Sequence, residues 1–140
     1  MRVDEYEIPE DLLYTKEHEW ARLVSPRTVR IGITDYAVKL LHDVVYVSLP
    51  EVGSEVRYMQ IFGSVESIKA VSDLYSAVSG KVISANRALD SQPELISQSP
   101  YSDGWIIEVE PGNLDAEMGQ LLKAEAYGAL IQGLGRKPSG

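Results

Sequence analysis

The chain of 140 residues contains no cysteine. This absence excludes thiolate catalysis, disulfide bridges and a thiolate metal site built from its own side chains, so any sulfur chemistry would come from an attached group. Basic residues are also few, because 13 lysines and arginines stand against 21 aspartates and glutamates, a formal charge of −8. This charge disfavours nucleic acid and anionic membranes as partners and favours basic protein surfaces.

Long apolar runs are missing as well. No stretch reaches the roughly 18 residues that a membrane-spanning helix needs, and the opening residues MRVDEYEIPEDLL are too acidic for a signal or transit peptide. We therefore expect a cytoplasmic protein, or a mitochondrial matrix protein if the chain is the processed form of a eukaryotic one. The length and the apolar content of 44% predict a single domain over residues 1–140.

Short β-type segments dominate the first three quarters of the chain. Residues 14–23 mix aromatic and charged side chains as an edge strand does, and residues 24–33 turn at Ser25–Pro26 before apolar and polar side chains alternate. Residues 43–56 and 104–112 are also rich in β-forming residues. The pattern predicts a β-sandwich or barrel with a small number of added helices.

Helices are predicted at three places. Thr34 is a suitable N-cap for a short helix, and residues 91–97 form a second one with Pro93 in its first turn. Residues 113–134 repeat apolar side chains at helical spacing and are predicted to form a C-terminal helical part. We expect residues 135–140 to be a frayed tail.

One of only six lysines lies at a predicted hairpin turn. Lys69 stands in FGSVESIKAVSDLYSAVSGKV, where Ile61–Phe62 and Leu74–Tyr75 are apolar–aromatic pairs that would face each other across two strands. Those strands would place the turn at one end of the domain. A lysine in a turn is usually just solvated. Its amine is also a suitable attachment point, and a short carboxylic acid joined to it would make an arm of roughly 15 Å.

The segment around Lys69 closely resembles the lipoyl-attachment segment of the glycine cleavage system H-protein family. Five further segments, YTKEHEW, IGITDYA, VVYVSLPEVG, SQPELIS and SPYSDGWIIEV, resemble that family's successive segments in the same order. The resemblance covers about residues 14–122, which we take as the core of the domain. It implies a mainly β fold, the lipoyl/biotinyl-type β-sandwich (barrel-sandwich hybrid), with a short inserted helix and C-terminal helices.

The resemblance implies a carrier and not an enzyme. Lipoate, bound covalently to Lys69, would take the aminomethyl group of glycine from the glycine decarboxylase and deliver it to the aminomethyltransferase. Dihydrolipoamide dehydrogenase would then reoxidise the dithiol, and a lipoate ligase or lipoyltransferase would attach the lipoate in the first place. By position, Glu19 of KEHEW and Asp73 of AVSD match the acidic residues that line the cleft where the family holds its loaded arm. Without the resemblance, both would be interpreted as ordinary surface carboxylates.

Three positions depart from the family's pattern. Ala77 replaces the usual proline of a Ser-Pro-x-Ser-Gly turn, and His42 stands before Asp43, where a glycine is common. Leu40 removes a polar group that some relatives have near the cleft. We expect these departures to affect how the arm is held and not whether Lys69 is lipoylated.

Four other functions remain open. A biotinyl carrier domain would have the same fold, but such domains usually place methionines beside the lysine, whereas Lys69 lies between Ile68 and Ala70. A lipoyl relay protein that supplies lipoate to 2-oxoacid dehydrogenases, and an unlipoylated binding module, are both compatible with the sequence. A hydrolase that uses His18 or Glu19 as its base is opposed by the lack of an HExxH or G-x-S-x-G motif.

Overall fold

The computed structural model describes residues 1–135, which are mainly β. The strands are β1 (Arg2–Val3), β2 (Tyr6–Glu7), β3 (Leu13–Tyr14), β4 (Glu19–Ser25), β5 (Thr28–Ile33), β6 (Val44–Ser48), β7 (Glu55–Val56), β8 (Ile61–Ser67), β9 (Val71–Tyr75), β10 (Gly80–Ala85) and β11 (Ile107–Pro111). The helices are α1 (Asp35–Leu41), α2 (Ala88–Ser91), α3 (Leu95–Gln98), α4 (Leu114–Met118) and α5 (Ala124–Gly135). The predicted mainly β class, with a short inserted helix and C-terminal helices, is confirmed.

Two antiparallel sheets share the main hydrophobic core. The larger sheet has the strand order β3-β4-β5-β11-β10-β7, the smaller has the order β6-β8-β9, and β1 and β2 form a separate ribbon. Strands of both sheets contribute fully buried aliphatic side chains to one cluster, among them Val29, Ile31, Val65, Val82 and Val109. Within residues 1–135, no helix has the length and apolar character needed to cross a bilayer.

Strands β8 and β9 form the hairpin that was predicted around Lys69. Their register places Ile61 opposite Tyr75, as expected for the apolar–aromatic pairs, while Phe62 is the extra residue of a bulge. Val65 and Leu74 are only 0% and 2% exposed. Because these two side chains are inserted into the core, the hairpin is a fixed part of the domain and not a loose loop.

The short helices predicted in the middle of the chain are present. The Thr34 hydroxyl caps α1 by accepting the Ala37 N–H at 3.3 Å. Helix α3 begins at Leu95, so Pro93 lies just before the helix and not in its first turn. Helix α1 ends at Leu41 and is followed by the C-cap residue His42, whose φ of +63° lies in the left-handed region. Glycine adopts that region without strain, which explains why a glycine suits this position.

The single edge strand predicted over residues 14–23 is wrong. A turn divides this segment into β3 and β4, which pair with each other, so β3 is the edge strand and β4 is interior. The Thr15 hydroxyl closes the turn by accepting the Glu17 N–H at 3.2 Å and the Glu19 N–H at 3.1 Å. The sequence gives little sign of this turn, because its left-handed residue is His18 (φ +75°) and not a glycine.

The C-terminal helical part predicted over residues 113–134 consists of two separate helices. Helix α4 ends at Met118 and α5 begins at Ala124. Between them, Leu122 pairs with Tyr14 of β3 through two N–H···O bonds of 2.8 Å. Leu122 is extended to make this bridge, so the helical pattern is interrupted there. The predicted tail at 135–140 lies outside the described residues, apart from Gly135 at the end of α5.

Gly32 on β5 is a position where the packing next to Glu19 can be tested. A Cβ at Gly32 would lie 2.6 Å from ring atoms of Trp20, which is fully buried and donates its indole N–H to the Pro100 carbonyl at 2.8 Å. We expect Gly32→Ala to lower the free energy of unfolding by about 1–3 kcal/mol, measured by urea denaturation. Gly112→Ala is the matched control, because a Cβ there meets no atom within 4 Å. Equal losses in the two variants would contradict the steric explanation.

Candidate functional site

The candidate site begins at the tip of the β8–β9 hairpin, where the chain turns through Ile68 and Lys69. The Ser67 N–H donates to the Ala70 carbonyl at 2.8 Å. Neither Ile68 nor Lys69 has a positive φ. The turn is therefore not one of the type I′ or II′ turns that two-residue hairpin loops favour, since both require a left-handed residue.

The side chain of Ser67 organises this unusual turn. Its Oγ accepts the Ala70 N–H at 3.1 Å and the Lys69 N–H at 3.3 Å, and the residue is 8% exposed. Serine commonly stabilises turns by bonding backbone groups two and three residues ahead, so Ser67 had a recognisable signal that sequence reasoning passed over. The result is a backbone held in place directly beneath Lys69.

Lys69 itself is exposed. Within residues 1–135 its amine takes part in no ion pair, although the chain is strongly acidic. Its neighbours Ile68 and Val71 are 74% and 62% exposed. Large apolar side chains at such exposure are uncommon on a turn that has only to be soluble. The tip therefore presents a free amine between two apolar groups to any molecule that approaches it.

Asp73 lies on the outer face of the hairpin, between Lys69 and the far end of β9. It is exposed, and it stands opposite Ser64, which in turn stands opposite Ser48 of β6. Residues opposite each other in adjacent strands project from the same face. Asp73 thus has the small Ser64 beside it, with Ser48 one strand further, and these small side chains leave room for a chain of atoms lying on the sheet.

Glu19 is buried at the other end of β9. Its side chain accepts the Thr15 hydroxyl at 2.5 Å on Oε1 and the Tyr75 N–H at 3.2 Å on Oε2. The residue is 1% exposed, so its interpretation from sequence as an ordinary surface carboxylate is wrong. Burial raises the pKa of Glu19 to about 8, and the hydrogen bonds from Thr15 and Tyr75 oppose this rise.

Strand β9 connects these groups along one line. Successive side chains of a strand point to opposite faces. The side chains of Val71, Asp73 and Tyr75, which are spaced two residues apart, therefore project from the same face of β9. β9 is also the free edge of its sheet, and the Tyr75 N–H points outward to Glu19. The structure thus brings Asp73 to the exposed face between Lys69 and Tyr75, and brings Glu19 to the end of the same strand.

The histidine that was considered as a catalytic base is embedded among aromatic side chains. His18 Nδ1 lies 2.9 Å from the Tyr127 hydroxyl, which lies 2.7 Å from the Thr34 hydroxyl. Its ring centroid is 4.8 Å from that of Tyr36. Burial lowers the pKa of His18. These contacts join α5, α1 and the β3–β4 turn, and they indicate a structural role. Among residues 1–135, no cluster of acidic and histidine side chains is arranged to bind a metal.

The chain matches known proteins over most of its length. A model of the family described as "Glycine cleavage H-protein" matches residues 12–133. A probable glycine cleavage system H protein of Thermococcus gammatolerans is 48% identical over 134 residues, which are 96% of this chain and 99% of the relative. The glycine cleavage system H protein of Geobacillus kaustophilus is 54% identical over 123 residues, which are 88% of this chain and 95% of the relative.

A solved structure has the same fold. The crystal structure of a glycine cleavage system H protein from Mycobacterium marinum superposes with a TM-score of 0.81 and is 39% identical in sequence. The superposition covers 89% of this chain and 99% of that chain. The agreement therefore extends over nearly the whole of the solved chain.

The buried carboxyl of Glu19 should make stability depend on pH. Folding raises the pKa of Glu19 from 4.5 to about 8, so its stabilising contribution is fully present below pH 4.5 and is lost as the pH rises through 8. Between pH 5 and 9 we expect the free energy of unfolding of the wild type to fall by on the order of 2–5 kcal/mol relative to that of Glu19→Gln, whose side chain cannot ionise.

Urea denaturation at several pH values measures this difference. Glu55→Gln is the control, because Glu55 is exposed on β7, is not among the groups that alter the pKa of Glu19, and should leave the wild-type pH dependence unchanged. A constant difference between wild type and Glu19→Gln across this range would contradict the assignment of Glu19 as a buried titrating group.

Proposed function

The chain belongs to the glycine cleavage H-protein family, and from this premise we propose that Lys69 is the residue to which its lipoyl group is covalently attached. The protein is a lipoyl carrier of the glycine cleavage system and not an enzyme. The observation that carries the proposal is the exposed amine of Lys69, which has no ion pair within residues 1–135 and stands at the tip of a hairpin whose base is buried in the core.

The surroundings of Lys69 suit acylation of its amine by a separate enzyme. A lipoate ligase or lipoyltransferase must bring an activated carboxyl group to the nitrogen, which requires an approach free of neighbouring side chains. The Ser67 side chain holds the turn backbone, while Ile68 and Val71 offer exposed apolar contact on either side of the lysine. Such contacts can hold the tip of the hairpin without blocking the amine.

The lipoyl-lysine arm is long enough to reach Asp73 and most of the way along β9. Asp73 is four residues from Lys69 and Tyr75 is six, which correspond to about 13 Å and about 20 Å along an extended strand. A lipoyl-lysine arm of roughly 15 Å that folded back along β9 would pass Asp73 and stop roughly 5 Å short of Tyr75, a distance that the attached aminomethyl group would shorten. We propose Asp73 and Glu19 as the carboxylates that hold the loaded end of the arm.

The two carboxylates would contribute in different ways. When attached, the oxidised lipoyl group supplies a disulfide that accepts the aminomethyl group of glycine on one sulfur. That cargo ends in an ammonium group, and its nitrogen must lose a proton before its lone pair can expel the sulfur. Asp73, which is exposed, can hydrogen-bond the ammonium first, while Glu19 is reached only when the arm enters the protein. Both contacts would keep the nitrogen protonated.

Membership of the glycine cleavage system implies interaction with its other components. We propose that these partners are the glycine decarboxylase that loads the arm, the aminomethyltransferase that unloads it, and the dihydrolipoamide dehydrogenase that reoxidises it. One exposed tip serves all of them in turn, because the arm and not the domain enters each active site. The formal charge of −8 would steer the carrier toward basic rims on these enzymes.

Attachment at Lys69 can be tested by intact-mass measurement. We expect expression with lipoate and an active ligase to add one lipoyl group to the chain, and Lys69→Arg to abolish the addition while leaving the fold intact. Lys81→Arg is the matched control, because Lys81 is another exposed lysine on β10 and should not affect the addition. An unmodified wild-type mass would reject the proposal, and the mass increment of biotin would indicate a biotinyl carrier instead.

The roles of Asp73 and Glu19 can be tested on the loaded carrier. We expect Asp73→Asn and Glu19→Gln each to speed the spontaneous release of formaldehyde and ammonia from the arm by roughly three- to tenfold, about 1 kcal/mol for a lost charge-assisted hydrogen bond. Asp90→Asn on α2 is a control of the same chemistry at an exposed position outside the hairpin. Unchanged lifetimes in both test variants would remove these residues from the site.

A further inference from the structure

Thr15 makes more polar contacts than a buried threonine needs for packing. It is 2% exposed and lies between β3 and β4. Its Oγ1 is within hydrogen-bond distance of three groups, namely the Glu17 N–H at 3.2 Å, the Glu19 N–H at 3.1 Å and Glu19 Oε1 at 2.5 Å. No role for this side chain follows from the attachment of a lipoyl group to Lys69.

The donors and acceptors around Thr15 have only one consistent arrangement. A hydroxyl has one hydrogen and two lone pairs. The two backbone N–H groups can only donate, so they take the lone pairs, and the hydroxyl hydrogen must be given to Glu19 Oε1. The Tyr75 N–H can only donate as well, so Glu19 Oε2 also accepts. Each oxygen of Glu19 thus accepts a hydrogen bond, and these bonds favour the carboxylate and oppose the effect of burial.

We infer that Thr15 is a positioning residue for the carrier: its hydroxyl holds Glu19 at the end of β9 as a hydrogen-bond acceptor, ready to receive the cationic end of the loaded arm. The inference rests on the proposed function, in which Glu19 is one of the two carboxylates that hold that end. A carboxylate offers about four lone pairs, and Thr15 and Tyr75 use two of them, so capacity remains for an ammonium group.

The electrostatics of Glu19 are consistent with this role. Burial alone strongly favours the neutral acid, and the bond from Thr15 is the largest effect that lowers the pKa of Glu19. Glu17, in the same turn, raises the pKa of Glu19 by charge repulsion. The Tyr127 hydroxyl of α5, which lies 2.9 Å from His18, also faces the surroundings of Glu19. Without the Thr15 hydroxyl, the carboxyl should be neutral over a wider range of pH and should hold a cation less well.

The first experiment measures Glu19 directly in the full-length lipoylated carrier before loading. The titration of its side-chain carboxyl is followed by carbon-13 NMR, with the resonance assigned from its absence in Glu19→Gln. We expect Thr15→Val, which has nearly the same shape, to raise the midpoint by about one pH unit. Thr15→Ser keeps the hydroxyl and should retain the wild-type midpoint. A wild-type midpoint in Thr15→Val would overturn the inference.

The second experiment measures the lifetime of the loaded arm between pH 6.5 and pH 9. We expect Thr15→Val to shorten the lifetime roughly three- to tenfold near neutral pH. The lifetime should recover as the pH rises, because Glu19 then ionises even without the Thr15 hydroxyl. Thr15→Ser should follow the wild-type profile. A purely structural defect would shorten the lifetime equally at every pH, and that result would overturn the inference.

The same measurements separate failure of the inference from failure of the proposed function. If Thr15→Val shifts the Glu19 titration but Glu19→Gln leaves the lifetime unchanged, the proposed role of Glu19 in holding the arm is wrong, although Thr15 still positions the carboxyl. If Glu19→Gln shortens the lifetime and Thr15→Val changes neither readout, the holding role stands and the inference about Thr15 is wrong.

Discussion

A buried carboxyl group must be supplied with hydrogen bonds, and Glu19 receives them from both halves of the structure. The Thr15 hydroxyl comes from the turn between β3 and β4 of the larger sheet, and the Tyr75 N–H comes from the edge of the smaller sheet. This shared carboxyl ties the end of β9 to the larger sheet. The position of the hairpin, and hence of the lysine at its tip, depends on that connection together with the buried Val65 and Leu74.

The result is a rigid base beneath a long flexible side chain. Ser67 fixes the turn with its hydroxyl, so the backbone at Lys69 is held while the amine stays exposed. A carrier needs this division, because the domain must present the arm in a defined direction while the arm itself reaches into different active sites. β9 connects the two ends of this region, with the hairpin tip that carries Lys69 at one end and the buried carboxyl of Glu19 at the other.

Sequence reasoning succeeded where the determinants are local. The capping hydroxyl of Thr34 lies three residues from the N–H that it accepts, and the hairpin around Lys69 needs only residues 61–75. It did not locate a break that distant pairing makes in a local pattern. Residues 113–134 have a helical repeat, but Leu122 pairs with Tyr14, more than a hundred residues earlier in the chain, and this bridge interrupts the helix. Helix α2, which has only four residues, was not predicted from the sequence.

The sequence by itself determined the exposed lysine. Lys69 lies in a short turn between two β-forming runs, and neighbouring residues are enough to place such a side chain in solvent. Only the tertiary structure decided that Glu19 is buried and Asp73 is not, although both are acidic residues on strands. The difference arises because Glu19 meets Tyr75, 56 residues further along the chain, beneath packed side chains, whereas Asp73 stands exposed beside Ser64 on an open sheet. Solvation of a carboxyl is a property of its assembled surroundings, which no stretch of neighbouring residues specifies.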